Sequence, residues 1–140
     1  MSLKNLSAKI KIPKLLEDKL KNKRIKKIYK SFEKAIRIKE NFIVGVSGGP
    51  DSLALAFLAK VYSIKKRLKS KFIIIDHKLR KESSNEAKNV KKILEKFYIK
   101  AEILSWSGKK PSKNIQSLAR QKRYSLLMNM GKKFNIKNIL

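Results

Sequence analysis

The chain has 140 residues, with 37 Lys and Arg against 10 Asp and Glu, a formal net charge of +27, and 42% hydrophobic residues. That length and apolar share furnish one modest core, and the apolar residues recur in patterned runs, which excludes a disordered basic tail. No apolar stretch nears the ~20 residues of a membrane span, no signal-peptide core follows the basic N-terminus, and zero Cys excludes disulfides, thiolate metal sites, iron–sulfur clusters and catalytic thiols. The expectation is a cytoplasmic protein with no membrane partner.

Of the basic residues, 31 are Lys and six are Arg. Abundant Lys, Ile and Asn point to an AT-biased coding sequence, so composition alone overstates the case for nucleic acid. The excess is nevertheless spread along the chain, at +10 for residues 1–40, +4 for 41–76, +6 for 77–111 and +7 for 112–140. A field of that kind suits a polyanion partner.

Residues 1–22 form a Lys-rich leader, the one segment that reads as a tail. Ile25, Ile28, Tyr29, Phe32 and Ile36 then follow helical spacing, which predicts an amphipathic helix over 24–38. Asn41 to Ser47 is a short apolar run ending at two glycines, a buried strand meeting a turn. Pro50 suits the first position of a helix whose stretch Leu53 to Tyr62 is apolar nearly all round, as for a helix laid on a sheet. Lys71 to Asp76 is a second buried strand, rich in Ile. Ser83 and Glu86 have the spacing of a capping box, opening a helix with Ala87, Val90, Leu94 and Phe97 on its inner face. Ala101 to Trp106 is a third, weaker strand, with Trp106 read as core or sheet-edge packing, and Ser107 to Pro111 is a polar loop. Asn114 or Ser112 can cap a last helix with Ile115, Leu118, Ala119, Leu126, Leu127 and Met130 inward. Gly131 is expected to end it, and Ile136 to Leu140 starts another apolar run. Strands alternating with helices predict an α/β domain, a Rossmann-like parallel sheet with flanking helices.

The sharpest chemical signal is Ser47-Gly48-Gly49-Pro50-Asp51-Ser52, where the first strand passes into a helix. Two glycines remove Cβ atoms that would hold a phosphate away from backbone amides, and the helix aims its unpaired N–H groups at the same point. Ser47 and Ser52 add hydroxyls. Asp51 beside phosphates is repulsive unless Mg²⁺ bridges them. The pattern is not the G-x-x-x-x-G-K-[ST] loop; the plain alternative is a strand–helix turn with Ser and Asp as caps.

Ser-Gly-Gly-Pro-Asp-Ser after a hydrophobic strand resembles the signature of the PP-loop ATP pyrophosphatases, of adenine nucleotide alpha hydrolase-like fold. The resemblance narrows further along the chain. The stretch Ile75-Asp76-His77-Lys78-Leu79-Arg80, continuing through Ser83 to Glu86-Ala87, is similar to the VDHxLRxxSxxEA segment of tRNA(Ile)-lysidine synthetases, with Ile for Val. Asn114 to Tyr124 is similar to their NxQxxARxxRY helix. These three motifs lie in the right order between residues 42 and 124. The resemblance implies ATP as cosubstrate, Mg²⁺, free L-lysine and an isoleucine tRNA with a CAU anticodon: C2 of the wobble cytidine would be adenylated and then attacked by the lysine amine, releasing AMP. It further implies Ser47 to Ser52 on the pyrophosphate, with Asp51 on the metal.

The remaining candidates can each be read in two ways from the residues themselves. His77, the only His, stands at the carboxyl end of a strand, where open α/β sheets bind ligands, though a surface His without a role has the same sequence. Arg80 can meet phosphate or cover a helix end. Arg120 and Arg123 are three apart and can point at one anion, or belong to a solvated helix face. The resemblance assigns His77 and Arg80 to the nucleotide pocket, and Arg120 and Arg123 to the α-phosphate or the RNA backbone. Other PP-loop enzymes are rivals: tRNA thiolation ATPases usually need cysteines, and GMP and NAD synthetases lack the second and third motifs. A PP-loop domain that binds ATP or tRNA without turnover is the alternative outside the enzymes. In the resembling family an apolar strand where Asn138-Ile139-Leu140 lies leads into a His-His-x-Asp-Asp motif. The domain over 23–140 is therefore expected to be incomplete at its C-terminus and inactive alone.

Overall fold

Three apolar runs and a short fourth one pair into a single parallel sheet. The computed structural model describes residues 11–110 and 112–140. In it β1 (Phe42–Val46), β2 (Ser70–Asp76), β3 (Ala101–Ser105) and β4 (Asn138–Ile139) lie in the order β3-β2-β1-β4. Val44 stands opposite Phe72, Ile74 opposite Ile103, and Phe42 opposite Asn138.

Side-chain alternation divides the core between the two faces of this sheet. Phe42, Val44, Val46, Phe72 and Ile74 point to one face, under α2 (Lys23–Ile36), α3 (Pro50–Lys66) and α4 (Ser83–Lys96). Ile43 and Ile73 point to the other, where Leu127 and Met130 of α5 (Ile115–Phe134) cover them. A strand covered on both faces has no reason to alternate polar and apolar residues, which is why these runs are continuous. Because the chain lays down β1, β2 and β3 in one direction and then returns through α5 to β4 beside β1, the order reverses between β1 and β4. Ligands in open α/β sheets collect at the carboxyl ends near such a reversal. No helix among the described residues is long and apolar enough to cross a membrane.

Several local expectations change. Part of the expected leader is helix α1 (Lys14–Leu20), whose Leu16 is wholly buried in the larger core; residues 1–10 lie outside the described residues. Asn22 caps α2, its side-chain oxygen accepting from the amides of Arg24 and Ile25 at 3.0 and 3.3 Å. The Ser83–Glu86 capping box does not form. Ser83 is already the first residue of α4 and its Oγ donates to the Arg80 carbonyl at 2.9 Å, while Glu86 is taken by the Arg80 guanidinium at 2.8 Å. A charge-assisted bond outcompetes a backbone amide for that carboxylate.

In α5 the expected stop at Gly131 is also absent. The helix runs on to Phe134, and left-handed Asn135 ends it, with the Ile136 amide returning to the Gly131 carbonyl at 2.8 Å. Glycine is needed at 131 for a different reason: a Cβ there would lie 2.7 Å from the Ile136 carbonyl oxygen. Ile115 and Leu118, expected inward, are 45% and 39% exposed. The amino-terminal half of α5 stands over a cavity, and its carboxyl-terminal half packs on the sheet. Asn114 holds the cap position in a left-handed conformation without a side-chain cap bond.

Candidate nucleotide site

The loop between β1 and α3 is built by its own residues. Gly48 has φ +94°, turning the chain out of the strand, and Gly49 at φ −69° is the N-cap position before Pro50, whose missing N–H is one the first turn leaves unpaired in any case. The Ser47 amide donates to Ser52 Oγ at 2.8 Å, which ties the loop to the first turn of α3. The first helical bond runs from the Leu53 amide to the Gly49 carbonyl. Among the described residues, the amides of Gly48, Asp51 and Ser52 meet no protein acceptor. Those donors, the helix dipole and two serine hydroxyls converge where an anion would be held.

Beside this loop a cavity of about 590 Å³ opens at the carboxyl ends of β1 and β2. Val46, Ser47, Ile74 and His77 border it at the sheet, Ser83 and Val90 along α4, and Ala119, Arg120 and Arg123 along α5. The volume lies within the ~300–1,000 Å³ usual for small-molecule sites. Of the candidate residues, the structure brings Ser47, His77, Arg80, Arg120 and Arg123 to this one cavity. Gly48, Gly49, Pro50, Asp51 and Ser52 do not line it; they continue from Ser47 along the start of α3. The arrangement suits an elongated ligand with an apolar part in the cavity and an anionic part at the loop.

His77 Nδ1 accepts from the Leu79 amide at 3.1 Å, so a neutral ring carries its proton on Nε2. Arg80 is paired with Glu86. Arg120 and Arg123 have no carboxylate partner among the described residues. Both guanidiniums stand 5.6 Å from the Tyr124 ring, and Arg120 donates to the Tyr124 hydroxyl at 3.3 Å. That bond, with the nearby positive charge, lowers the Tyr124 phenol from its ordinary range.

Asp76, quoted in the second motif but given no role by sequence reasoning, lines the same cavity. It is 3% exposed, and its carboxylate accepts from Ser84 Oγ at 2.7 Å and from the Lys78 amide at 3.0 Å. Burial pushes this carboxyl up, but the hydrogen bonds from Ser84 and the Lys78 amide, with the positive charge of Lys78 nearby, outweigh it and hold it below the ordinary carboxylate range. The effect is to pin the β2–α4 loop that presents His77 and Arg80. A lone Asp closing an Ile run at the carboxyl end of a parallel strand was the available signal. Trp106 is buried, and its amide continues the sheet by donating to the Asp76 carbonyl at 2.8 Å; Lys110 Nζ donates to the Lys78 carbonyl of the same loop.

Among the described residues no group of three or more His, Asp and Glu could cage a metal ion. What fits is Mg²⁺ arriving on nucleotide phosphates, since that ion is commonly held by one or two carboxylates plus phosphate oxygens, and Asp51 is exposed beside the loop.

A doubly wound sheet with a glycine loop and a helix N-terminus at its carboxyl edge is the architecture of a nucleotide-binding domain. The PP-loop domain model matches residues 17–140, and the chain belongs to that family. Its relatives include a tRNA(Ile)-lysidine synthase from Bartonella quintana, 43% identical over 93 residues, covering 65% of this chain and 20% of the relative. Another, from Rhodopseudomonas palustris, is 38% identical over 100 residues, covering 70% of this chain and 29% of the relative. The chain thus spans between a fifth and three tenths of their length. In fold it is similar to the U34-tRNA thiolase of Methanococcus maripaludis, with a TM-score of 0.71 at 17% identity over 82% of this chain and 43% of that one.

Proposed function

We propose that this domain is the ATP-using part of a tRNA(Ile)-lysidine synthase. The observation that carries the reading is the convergence of Ser47, His77, Arg80, Arg120 and Arg123 on one cavity beside the Ser47–Ser52 loop, in a chain that over 93 residues is 43% identical to such an enzyme. The thiolase of similar fold carries a 4Fe–4S cluster, and these 140 residues have zero Cys to hold one, which favours lysine ligation over thiolation.

In this reading the free amides of Gly48, Asp51 and Ser52 and the Ser47 and Ser52 hydroxyls hold the β- and γ-phosphates of ATP. Asp51 would hold Mg²⁺, which would neutralise phosphate charge when bound. The base and ribose occupy the cavity, and the α-phosphate lies toward α5, where Arg120 and Arg123 stabilise the charge that develops as the α–β bond breaks. The C2 oxygen of the wobble cytidine of an isoleucine tRNA (CAU anticodon) attacks the α-phosphate and pyrophosphate leaves. The amine of free lysine then attacks C2 and expels AMP, a better leaving group than bare oxygen.

Radiolabelled lysine offered with ATP, Mg²⁺ and transcribed isoleucine tRNA to the gene product carrying these residues is expected to enter the tRNA. In the same assay Asp51→Ala is expected to remove incorporation while leaving the circular dichroism unchanged, since an exposed carboxylate contributes little to packing. Binding of ATP and tRNA with no incorporation would identify a binding domain instead.

A further inference from the structure

Away from the cavity, α2 carries a dense run of lysines. Lys23, Lys26, Lys27, Lys30 and Lys34 border a shallow cleft of about 470 Å³ with Ser31. Spacings of three and four place all five on one stripe, about 16 Å long at ~1.5 Å per residue. Some other cations are offset: Lys21 by Asp18, Lys66 by Glu33, Arg80 by Glu86, and Lys19, Lys65, Lys71 and Lys133 by aromatic rings. Among the described residues none of the five stripe lysines has a carboxylate or ring partner. Glu33, the one acid in α2, accepts from the Tyr29 hydroxyl at 3.0 Å and pairs with Lys66, off the stripe. Like charges at i,i+4 (23 and 27, 26 and 30, 30 and 34) oppose helix formation. The helix forms because its other face, with Tyr29, Phe32 and Ile36, packs into the core. A dense anion would remove that repulsion.

We infer that this stripe docks the phosphate backbone of RNA, as a surface separate from the ATP cavity; the inference rests on the tRNA reading above. A straight row of ammonium groups follows successive phosphates without reading bases. A membrane surface fits less well, because an interfacial helix must insert its apolar face, and here Tyr29, Phe32 and Ile36 of that face are packed on the core, with Ile28, expected on the same face, left 56% exposed.

The test replaces Lys26, Lys27 and Lys30 by Gln, a good helix former, and compares a charge-matched control with Lys88, Lys92 and Lys96 of α4 replaced by Gln. Binding of transcribed isoleucine tRNA is titrated against salt. The stripe triple is expected to lower the magnitude of the log K against log salt slope by about two to three, and the control by less than half as much. In the unmutated chain, tRNA is expected to shield the stripe lysines from acetylation more than Lys88 and Lys92, a readout independent of any variant's folding. Equal effects of the two triples, or equal acetylation, would overturn the inference in favour of net charge. An unchanged slope in the stripe triple while the wild type binds would overturn it alone. Absence of tRNA binding by the wild type would overturn the tRNA reading as well. Binding to phosphatidylserine–phosphatidylcholine vesicles that the stripe triple loses, with tRNA affinity intact, would reassign the surface to membranes.

Discussion

Gly48 and Gly49 are neighbours in the loop but are constrained by different things. At Gly48, φ is +94° and a Cβ would lie 2.5 Å from Val90 Cγ2 on α4, so the fold itself excludes a side chain there. At Gly49 the backbone is ordinary, and a Cβ would meet only Ser47 Oγ at 3.8 Å. Gly48→Ala is therefore expected to cost about 2–4 kcal/mol from overpacking and left-handed strain, seen as a lower urea midpoint. Gly49→Ala should cost about 1 kcal/mol at the N-cap, yet weaken ATP binding tenfold or more by standing between the amides and a phosphate. Wild-type ATP affinity in Gly49→Ala would remove the loop from the phosphate site. The rule that both glycines make room for phosphate is thus half a packing rule, and only the neighbouring helix reveals which half. Asp76 escaped for a related reason: its partner Ser84 is eight residues on, and nothing in residue type alone announces that bond.

At the scale of elements, α5 is the piece whose attachment matters most to the site. It carries Arg120 and Arg123 over the cavity, and its buried side chains on the sheet are Leu127 and Met130, 3% and 8% exposed, against Ile43 and Ile73. Leu127→Ala should cost about 2–5 kcal/mol and also lower ATP affinity, because the arginines lose their fixed position. Leu16→Ala, in the fully buried contact of α1, should cost a similar amount by urea unfolding with ATP affinity kept. Equal losses of ATP binding would mean that global loosening, not α5, controls the site. The strands were legible because a short continuous run of Ile, Val and Phe between turn residues suits a strand buried on both faces. The loop and the α2–α4 helices were legible from glycine pairing and helical spacing. The inner face of α5 was legible only in part: Leu127 and Met130 are buried as expected, whereas Ile115 and Leu118 are exposed, since one helix serves the cavity with one half and the sheet with the other. Leu16 was hidden within a Lys-rich segment, where charge dominates the reading and burial is decided by distant residues.

Across the whole molecule, +27 with 10 acidic residues makes ionic strength a means of separating the two ligands. An RNA backbone is held by many lysines acting at once, each releasing condensed counterions, so six contacts lose about a thousandfold in affinity between ~50 and ~200 mM salt. The proposed triphosphate contacts differ in kind. They are uncharged amides and hydroxyls of the Ser47–Ser52 loop, joined by Arg120 and Arg123 at the cavity. Raising salt over that range is therefore expected to reduce tRNA binding at least about a hundredfold and ATP binding by less than about tenfold, since few charges are exchanged. Parallel titrations of the same protein, by filter binding for tRNA and calorimetry for ATP, check this. A fall in ATP affinity as steep as that for tRNA would mean that long-range charge holds the nucleotide, and the oriented amides of the loop would lose their role. A shallow fall for both would mean that few of the lysines touch RNA, leaving most of the positive charge as a consequence of coding bias.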